Sequence, residues 1–323
     1  MGSKVAIHKI TIPTPFSVGD VNVYLVEGDA LTLVDAGPKT SEAWNMLKKR
    51  LKELGFVPAD LDQIVLTHHH PDHIGLLDFF DKDLPVLGHR LNTPWLCRDV
   101  AFFKRQSEFF LTLAKQLGVP EKFAEKMANF DLSIYSCTHP LTTAIKEGDK
   151  VDGLPGFTVM ETPGHAQSHI VLYNEKNGRM IGGDHLIKTI SSNPLLEMPD
   201  KGKERPRPQL QYNKSLKRLL DMPISVVYPG HREEIFEPHR LIRHRLERQH
   251  ERAINVWHLL KMKKMTAFAL CKLLFPSAYE REFLFAISET VAQLDYLENL
   301  GKVNKQLEDG VWIFSTNDEE VKK

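Results

Sequence analysis

The sequence predicts an α/β fold, in which strands and helices alternate, followed by a small C-terminal domain. Of the 323 residues, 42% are hydrophobic and 26% are charged, as in globular proteins with a substantial core. Short apolar runs rich in β-branched residues fill the first part of the chain and return at residue 157. Beyond residue 240 the apolar residues recur at helical spacing, so we predict domains at 1–240 and 241–323.

The first part of the chain is predicted to contain five strands and two helices. Residues 41–54 carry apolar side chains at helical spacing and mostly basic side chains opposite, which predicts an amphipathic helix that ends at Gly55. A short second helix is predicted from about Ile74. The predicted strands are 5–12, 21–27, 31–35, 63–66 and 84–87.

The β pattern of the second part includes a hairpin. Asn177-Gly178 is a strong two-residue turn signal between two apolar runs. A helix near 212–220 separates this hairpin from the last strand of the domain. The predicted strands are 157–162, 169–173, 179–183 and 224–228.

The charge balance and the cysteines bear on partners and location. Lysine plus arginine equals aspartate plus glutamate, 42 each, so the overall charge indicates neither a nucleic-acid nor a membrane partner. The three cysteines are odd in number and widely separated, which predicts free thiols. No apolar signal core or run of membrane-spanning length is present. We therefore expect a cytoplasmic protein.

A histidine-rich motif follows the strand predicted at 63–66. Residues 67–73 read Thr-His-His-His-Pro-Asp-His, and zinc binds imidazole nitrogens and carboxylate oxygens at about 2 Å. The first two candidate ligands are two residues apart and point to one side of an extended chain, and the other two reach a second point after Pro71. The candidate ligands are His68, His70, Asp72 and His73. Two metals explain this group better than one; the alternative is a surface loop that is rich in histidine.

Three further predicted strands end in a candidate ligand. His165 and His231 each follow a strand within a Pro-Gly-His sequence, and Asp184 follows the second arm of the hairpin. A lone histidine after a strand is more often structural, but four such strand ends predict a shared metal centre. Asp35, at the end of the third strand, is either a turn residue or a carboxylate that orients a ligand histidine.

An aromatic helical segment at 92–130 interrupts the β-rich pattern, with a break at Gly118-Val119-Pro120. One interpretation is a helical pair that packs its aromatic side chains into the core. The other is a helical insertion that caps the metal loop and supplies an apolar wall for substrate. The aromatic residues are Trp95, Phe102, Phe103, Phe109, Phe110, Phe123 and Phe130.

The order His-x-His-x-Asp-His at 68–73, then His165, Asp184 and His231, resembles the metallo-β-lactamase superfamily. The resemblance covers roughly residues 5–240, and the combined motif is highly specific. It implies an αβ/βα sandwich of two mixed sheets with helices outside. It also implies that Asp184 bridges two metals and that Asp35 is the family's first-strand aspartate. The implied ligands are His68, His70 and His165 for one metal, and Asp72, His73 and His231 for the other.

Such a pair of metals supports hydrolysis. Two divalent cations about 3.5–4 Å apart can share a hydroxide, because coordination lowers the pKa of water to near 7. This hydroxide would attack a carbonyl or phosphoryl centre, and Asp72 is a candidate to accept its proton. His185 and Tyr228 are candidates for the proton donor or oxyanion partner; the alternative for both is packing. We expect zinc, with manganese or iron also compatible.

Differences from the motifs of related families narrow the range of possible substrate classes. True metallo-β-lactamases lack the bridging aspartate, so Asp184 argues against antibiotic hydrolysis. Glyoxalase II enzymes usually carry a tyrosine two residues after the last histidine, where this chain has Glu233. The best-known N-acyl-homoserine lactonases place a tyrosine three residues after the bridging aspartate, where this chain has Ile187.

The C-terminal domain is predicted to be winged-helix-like, with helices over 240–265, 267–275 and 281–300 and a hairpin at Asp309-Gly310. It is similar to the tail of β-lactamase-like hydrolases that include an endoribonuclease branch. The basic first helix suggests nucleic-acid contact; the alternative is a structural or dimerising tail. Acidic residues in and before the third helix favour this alternative, because phosphates would be repelled. They are Glu280, Glu282, Glu289, Asp295 and Glu298.

We therefore predict a binuclear metal-dependent hydrolase whose small-molecule substrate is an ester, thioester or lactone. One alternative is a phosphodiesterase or endoribonuclease that acts on RNA. Another is a nucleic-acid-binding regulator with a structural metal site, although seven candidate ligands exceed the four that typically close such a site. No membrane partner is expected, and a homodimer is compatible with the sequence.

Overall fold

The computed structural model describes residues 5–129 and 131–317, so Phe130 of the aromatic segment lies outside the described residues. The chain forms two compact units. The first contains the described residues of segments 1–99, 131–192 and 217–242, and the second contains those of 100–130, 193–216 and 243–323. None of the helices in the described ranges combines the length and apolar composition that a membrane span requires.

Two sheets form the first unit. The first sheet contains, in spatial order, β1 Ala6–Ile12, β2 Val21–Glu27, β3 Leu31–Val34, β4 Gln63–Val65, β5 Val86–Gly88 and β6 Thr143–Ala144. Strands β1 to β3 are antiparallel and β3 to β6 are parallel. Because parallel strands share a direction, the loops after β3, β4 and β5 leave the sheet at the same edge.

The second sheet faces the first. Its strands are β7 Phe157–Glu161, β8 Ile170–Asn174, β9 Arg179–Gly183 and β10 Val226–Pro229, in the spatial order β10-β9-β8-β7. Strands β9 and β10 are parallel, so their carboxyl ends also meet at one edge. The two sheets bury a shared apolar core, in which Val34 and Val65 pack with Val159, Leu172 and Ile181. Burying each side chain of this size stabilises the folded state by roughly 1.5–3 kcal/mol relative to leaving it exposed.

Helix α1 Ser41–Glu53 covers the outer face of the first sheet. Its side chains Ala43, Leu47 and Leu51 are buried against that sheet. The Thr40 hydroxyl accepts a hydrogen bond from the Ala43 amide and caps the helix. Two mixed sheets packed face to face with a helix outside confirm the predicted α/β sandwich.

The predicted elements of the first unit agree with the structure except in three places. Helix α2 spans Pro71–Ile74, so it begins three residues earlier than predicted, because Pro71 starts the helix where a turn was expected. The short α3 Thr93–Leu96 and the two-residue strand β6 were not predicted. Elements this short carry too little periodicity to be recognised from sequence.

The second unit is mainly helical. Its strands form a three-stranded sheet in the order β11-β13-β12, and the hairpin turns at Asp309-Gly310 as predicted. Helix α6 continues into the first unit from residue 217, and helix α7 enters the second unit at residue 243. The elements are α4 Val100–Gln116, α5 Glu121–Ala128, α6 Pro208–Leu220, α7 Pro238–Met262, β11 Met265–Thr266, α8 Ala267–Leu274, α9 Phe283–Asn299, β12 Val303–Glu308 and β13 Val311–Thr316.

The aromatic segment belongs to the second unit from residue 100 onward, whereas the sequence analysis placed 92–130 as an insertion within the first domain. Phe110 of α4 is buried in the core of the second unit, and Phe109 packs against that core. The Phe123 ring of α5 lies 4.8 Å from the Phe283 ring of α9, centroid to centroid. Helical periodicity shows that α4 and α5 bury an apolar face, but it does not identify the distant helices against which that face packs. The segment was therefore placed in the wrong unit. That the segment also caps the metal loop remains a prediction.

Helix α9, the third helix predicted for the C-terminal domain, is largely covered within the second unit. Asp295 is 2% exposed, and its Oδ1 lies 2.6 Å from a guanidinium nitrogen of Arg205. The amide of Leu196 donates to the Ser288 hydroxyl. Residues 193–207 therefore pack on α9, which leaves little of this helix for a nucleic-acid groove. The winged-helix assignment remains a prediction.

Candidate metal centre

The predicted ligands come together at the strand ends of the first unit. His68 and His70 follow β4, His165 follows β7, Asp184 follows β9 and His231 follows β10. Three groups have ligand atoms within 4.8 Å of one another. They are His68, His70 and His165; His68, His73 and Asp184; and Asp72, His73 and His231.

The first group consists of three imidazoles. Nδ1 of His70 lies 3.0 Å from Nε2 of His68 and 3.0 Å from Nε2 of His165. One proton on the His70 nitrogen could satisfy only one of these contacts. Ligands at about 2 Å around a tetrahedral zinc are separated by about 3.3 Å, which is close to the observed spacing. These three nitrogens are therefore suited to hold a cation.

The second group is formed by Asp72, His73 and His231. Oδ2 of Asp72 lies 3.3 Å from Nε2 of His231 and 3.9 Å from Nε2 of His73. Asp72 and His73 are on α2, which begins at Pro71, and the His73 ring lies 4.2 Å from the His68 ring, centroid to centroid. The second half of the motif was predicted to reach such a second point.

Asp184 lies between the two groups. Its Oδ2 is 3.5 Å from Nε2 of His165 and 3.5 Å from Nε2 of His231, and its Oδ1 is 3.5 Å from Nε2 of His73. One carboxylate thus contacts donors of both groups, which is the geometry that a bridging ligand requires.

Hydrogen bonds fix which nitrogen of His68, His73 and His231 faces the centre. Nδ1 of His73 lies 2.8 Å from Oδ2 of Asp35, and Nδ1 of His231 lies 2.7 Å from the Asp20 carbonyl oxygen. The Thr67 hydroxyl donates to Asp35 and contacts Nδ1 of His68 at 3.0 Å. In each case Nε2 is left to face the centre. Such partners orient metal ligands and raise their basicity.

Three of the candidate ligand atoms are buried without a hydrogen bond. Among the described residues, Nε2 of His73, Nε2 of His231 and Oδ1 of Asp184 are buried without a hydrogen-bond partner. Buried polar atoms are normally paired, because desolvation without a partner is costly. Divalent cations bound by imidazole nitrogens and carboxylate oxygens would satisfy all three. The donor set therefore fits the metal ions that its chemistry implies.

The protein groups alone perturb the pKa values across the centre. Burial lowers the pKa of His231, but the carboxylates of Asp184 and Asp72 outweigh it and raise that pKa to about 10. Burial raises the pKa of Asp184, yet His231 and His73 hold it well below its usual value. Burial, with the neighbouring histidines, lowers the pKa of His68 and of His70. Carboxylates and cationic partners thus favour one another here, as carboxylates and a metal would.

The centre requires a glycine at one point of close approach. A Cβ on Gly230 would overlap Oδ1 of Asp184 and lie 2.9 Å from Cε1 of His73. Gly230 is also the residue before the ligand His231, and its amide donates to the Gly183 carbonyl oxygen at 2.7 Å. The Pro-Gly-His sequence therefore brings the end of β10 into close contact with the Asp184 carboxylate.

The two candidates for the proton donor or oxyanion partner are His185 and Tyr228. His185 is fully buried, and burial lowers its pKa to about 3, so its imidazole is neutral at pH 7. Tyr228 packs on the inter-sheet core, and its ring lies 5.6 Å from the Tyr24 ring. A role in proton donation stays a prediction for both. The middle histidine of the motif, His69, stacks on Trp95 at 4.1 Å, apart from the three ligand groups.

Sequence reasoning missed the residues that hold the ligands in place. Nε2 of His169 accepts the Asp184 amide hydrogen at 3.1 Å. Asn22 donates to the carbonyl oxygens of Pro229 and Arg232, on either side of His231. The only available signal was His169 itself, a histidine four residues after a ligand.

Comparison with known proteins agrees with this geometry. A family model described as the metallo-beta-lactamase superfamily matches residues 17–231. A probable metallo-hydrolase of Bacillus subtilis, YqjP, is 46% identical over 309 residues, which cover 95% of this chain and 97% of that protein. A hydroxyacylglutathione hydrolase of Bdellovibrio bacteriovorus is 32% identical over 128 residues, which cover 39% of this chain and 34% of that protein.

Among solved structures, the metallo-beta-lactamase family protein TTHA1429 from Thermus thermophilus has a TM-score of 0.79 and 29% identity. The alignment covers 96% of this chain and 98% of that one. The family match, the YqjP relative and the cluster of histidines and aspartates lead to the same assignment. The chain belongs to the metallo-beta-lactamase superfamily and is a metal-dependent hydrolase.

Proposed function

We propose that the protein uses two divalent metal ions to hydrolyse a small carboxylic ester, thioester or lactone. The observation that carries the proposal is the carboxylate of Asp184, which contacts His165 on one side and both His73 and His231 on the other at 3.5 Å. A structural zinc site would be closed by four ligands, and this centre offers seven. Zinc suits a histidine and aspartate site, and manganese or iron is compatible.

When bound, two such cations supply an activated water with a pKa near 7 and polarise the substrate oxygen that gains charge. The chain's own residues do the rest. The two ligand groups hold the reacting centre in a buried position, which strengthens the electrostatic interactions there. Asp72, 8% exposed, is the ligand carboxylate that we assign to accept the proton of the attacking water.

Two observations favour acyl substrates. The relative from Bdellovibrio bacteriovorus is named a hydroxyacylglutathione hydrolase, and an acylglutathione is a thioester, although the similarity spans only part of each chain. In addition, Phe16 and Tyr135 form an edge-to-face pair at 5.2 Å. Phe16 is in the same loop as Asp20, whose carbonyl oxygen bonds to Nδ1 of His231, and the Tyr135 backbone approaches Gly75 just after α2. The two segments that carry this aromatic pair therefore contact the segments of the second ligand group.

A phosphodiesterase that acts on RNA is the second candidate. It is favoured by a basic aromatic cluster in the second unit, where the ammonium groups of Lys261 and Lys302 lie 4.0 and 4.9 Å from the centroid of the Trp257 ring. The covered α9 argues against it. A regulator that is not an enzyme has no support beyond the order of elements in the second unit.

A substrate panel separates the two candidates. The metal-loaded protein is assayed on p-nitrophenyl acetate, an acyl thioester, a γ-lactone, bis-p-nitrophenyl phosphate and a structured RNA. We expect turnover of the acyl compounds, and the Asp184→Asn protein serves as the control for contaminating esterase. Activity on the phosphodiester and RNA alone would overturn the proposal and favour the second candidate.

A further inference from the structure

His169 is a buried histidine that none of the three ligand groups contains. It lies four residues after His165, immediately before β8, and is 1% exposed. Its ring makes two hydrogen bonds, one on each nitrogen. Nδ1 lies 2.8 Å from the Thr162 hydroxyl oxygen, and Nε2 lies 3.1 Å from the backbone nitrogen of Asp184.

These two contacts define the protonation state of the ring. The Asp184 amide can only donate, so Nε2 of His169 must be the unprotonated acceptor. A neutral imidazole then carries its proton on Nδ1, which donates to the Thr162 hydroxyl. Thr162 therefore selects the tautomer that can receive the Asp184 amide.

The ring packs directly under the peptide that carries Asp184. Gly183 has a φ of 47°, and a Cβ there would lie 2.9 Å from Nε2 of His169 and 2.7 Å from the Thr67 hydroxyl. The first amide of β8 is also tied to the motif, because the Ile170 N–H donates to the Thr67 carbonyl oxygen at 2.8 Å. A residue with a Cβ at position 183 would therefore push His169 and Thr67 away from this peptide.

We propose that His169 is a positioning residue, which fixes the backbone of Asp184 so that one carboxylate reaches both ligand groups, and which thereby sets the affinity of the centre for metal. The inference rests on the proposed role of Asp184 as a shared ligand. The carboxylate carbon of Asp184 is only three bonds from the amide nitrogen that His169 holds. A rotation of that peptide would move the carboxylate oxygens away from His73, His165 and His231 together.

Two amide substitutions of different length test this role. In His169→Gln the side-chain oxygen reaches the position of Nε2 and can accept the Asp184 amide, whereas in His169→Asn the amide reaches only the position of Nδ1. Chelator-stripped proteins are titrated with Zn²⁺ in competition with a chromophoric chelator. We expect the Asn variant to bind Zn²⁺ about 10- to 100-fold more weakly than the wild type and the Gln variant to stay within a few-fold of it.

A buried histidine of the same unit provides the matched control. His139 is 4% exposed, and its Nδ1 bonds to the adjacent Pro140 carbonyl oxygen, so His139→Ala removes a buried ring without touching Asp184. This variant should lower the free energy of unfolding yet keep the wild-type Zn²⁺ affinity. If both His169 variants fail to fold, Thr162→Val tests the same pair of hydrogen bonds from the other end. It removes the hydroxyl that keeps the His169 proton on Nδ1, so it should weaken Zn²⁺ binding several-fold.

Equal Zn²⁺ affinities in the wild type and the Asn variant would overturn the inference, as would equal losses in the Gln and Asn variants. Wild-type affinity in Thr162→Val would overturn it too. Failure of the proposed function would look different, because the unmodified protein would then bind Zn²⁺ but hydrolyse no acyl substrate.

Discussion

Oδ2 of Asp35 lies 2.8 Å from Nδ1 of His73, and the same carboxylate accepts hydrogen bonds from the amide and the hydroxyl of Thr67. Asp35 adopts a φ of 61°, in the left-handed region that aspartate and asparagine tolerate better than most residues. This left-handed backbone aims the carboxylate back at the start of the histidine motif. Of the two roles considered for Asp35, its contacts with Thr67 and His73 support the orienting carboxylate.

The Asp35→Asn substitution should weaken metal binding while the protein stays folded. Asparagine keeps the left-handed backbone but offers one acceptor oxygen where Asp35 offers two, so Thr67 and His73 compete for it. We expect a loss of about 10- to 100-fold in Zn²⁺ affinity, measured by chelator competition. A variant with wild-type affinity would mean that His73 is oriented by other contacts.

The Gly230→Ala substitution should disrupt the shared carboxylate. The new methyl group would overlap Oδ1 of Asp184, so either β10 or the carboxylate must move. We expect loss of one metal per chain and a fall in hydrolysis of at least tenfold. Gly148→Ala is the control, because its φ of 85° makes alanine unfavourable there by about 1 kcal/mol while no atom lies within 4 Å of the added Cβ. Equal effects of the two substitutions would contradict the steric argument.

The neighbouring histidines of the motif should differ sharply in their tolerance to substitution. His70→Ala removes a nitrogen that contacts both His68 and His165, and we expect it to abolish hydrolysis. His69→Phe keeps an aromatic ring stacked on Trp95, and we expect at most about a tenfold loss. Steady-state kinetics and metal content of both variants check this. An inactive, metal-free His69 variant would show that the metal ligands are assigned to the wrong histidines.

The architecture of the first unit was largely readable from the sequence. Strands such as 21–27 are predictable from their β-branched residues, and Asn177-Gly178 predicts the turn of its hairpin. The candidate ligands were predictable for a related reason, because the segments that carry them follow strands whose carboxyl ends meet at one edge of a sheet. Their convergence could therefore be expected before any coordinates.

The supporting contacts could not be read in this way. The hydrogen bond from the Asp184 amide to His169 joins the residue after β9 to the residue before β8 and depends on a close approach at Gly183. Likewise, helical periodicity shows that α4 is amphipathic but not which core it joins. Residues 193–207 form neither helix nor strand, so nothing in them predicted that they would pack on α9.

The ion pair between Arg205 and Asp295 should stabilise the second unit. The Asp295 side chain is 3% exposed, so Arg205→Met would leave a buried carboxylate without its partner. We expect a loss of about 3 kcal/mol in the free energy of unfolding, measured with denaturant. Arg248→Met breaks an exposed pair with Glu251 on α7 and should cost less than about 1 kcal/mol. Similar small losses in both would mean that 193–207 does not hold α9.

The number of metal ions per chain tests the central claim most directly. Protein purified with zinc in the medium is analysed by elemental mass spectrometry against its amino-acid content, beside Asp184→Asn. Two cations that share Asp184 predict close to two metals per chain in the wild type and one or fewer in the variant. One metal per chain in both proteins, resistant to chelators, would contradict a shared binuclear centre.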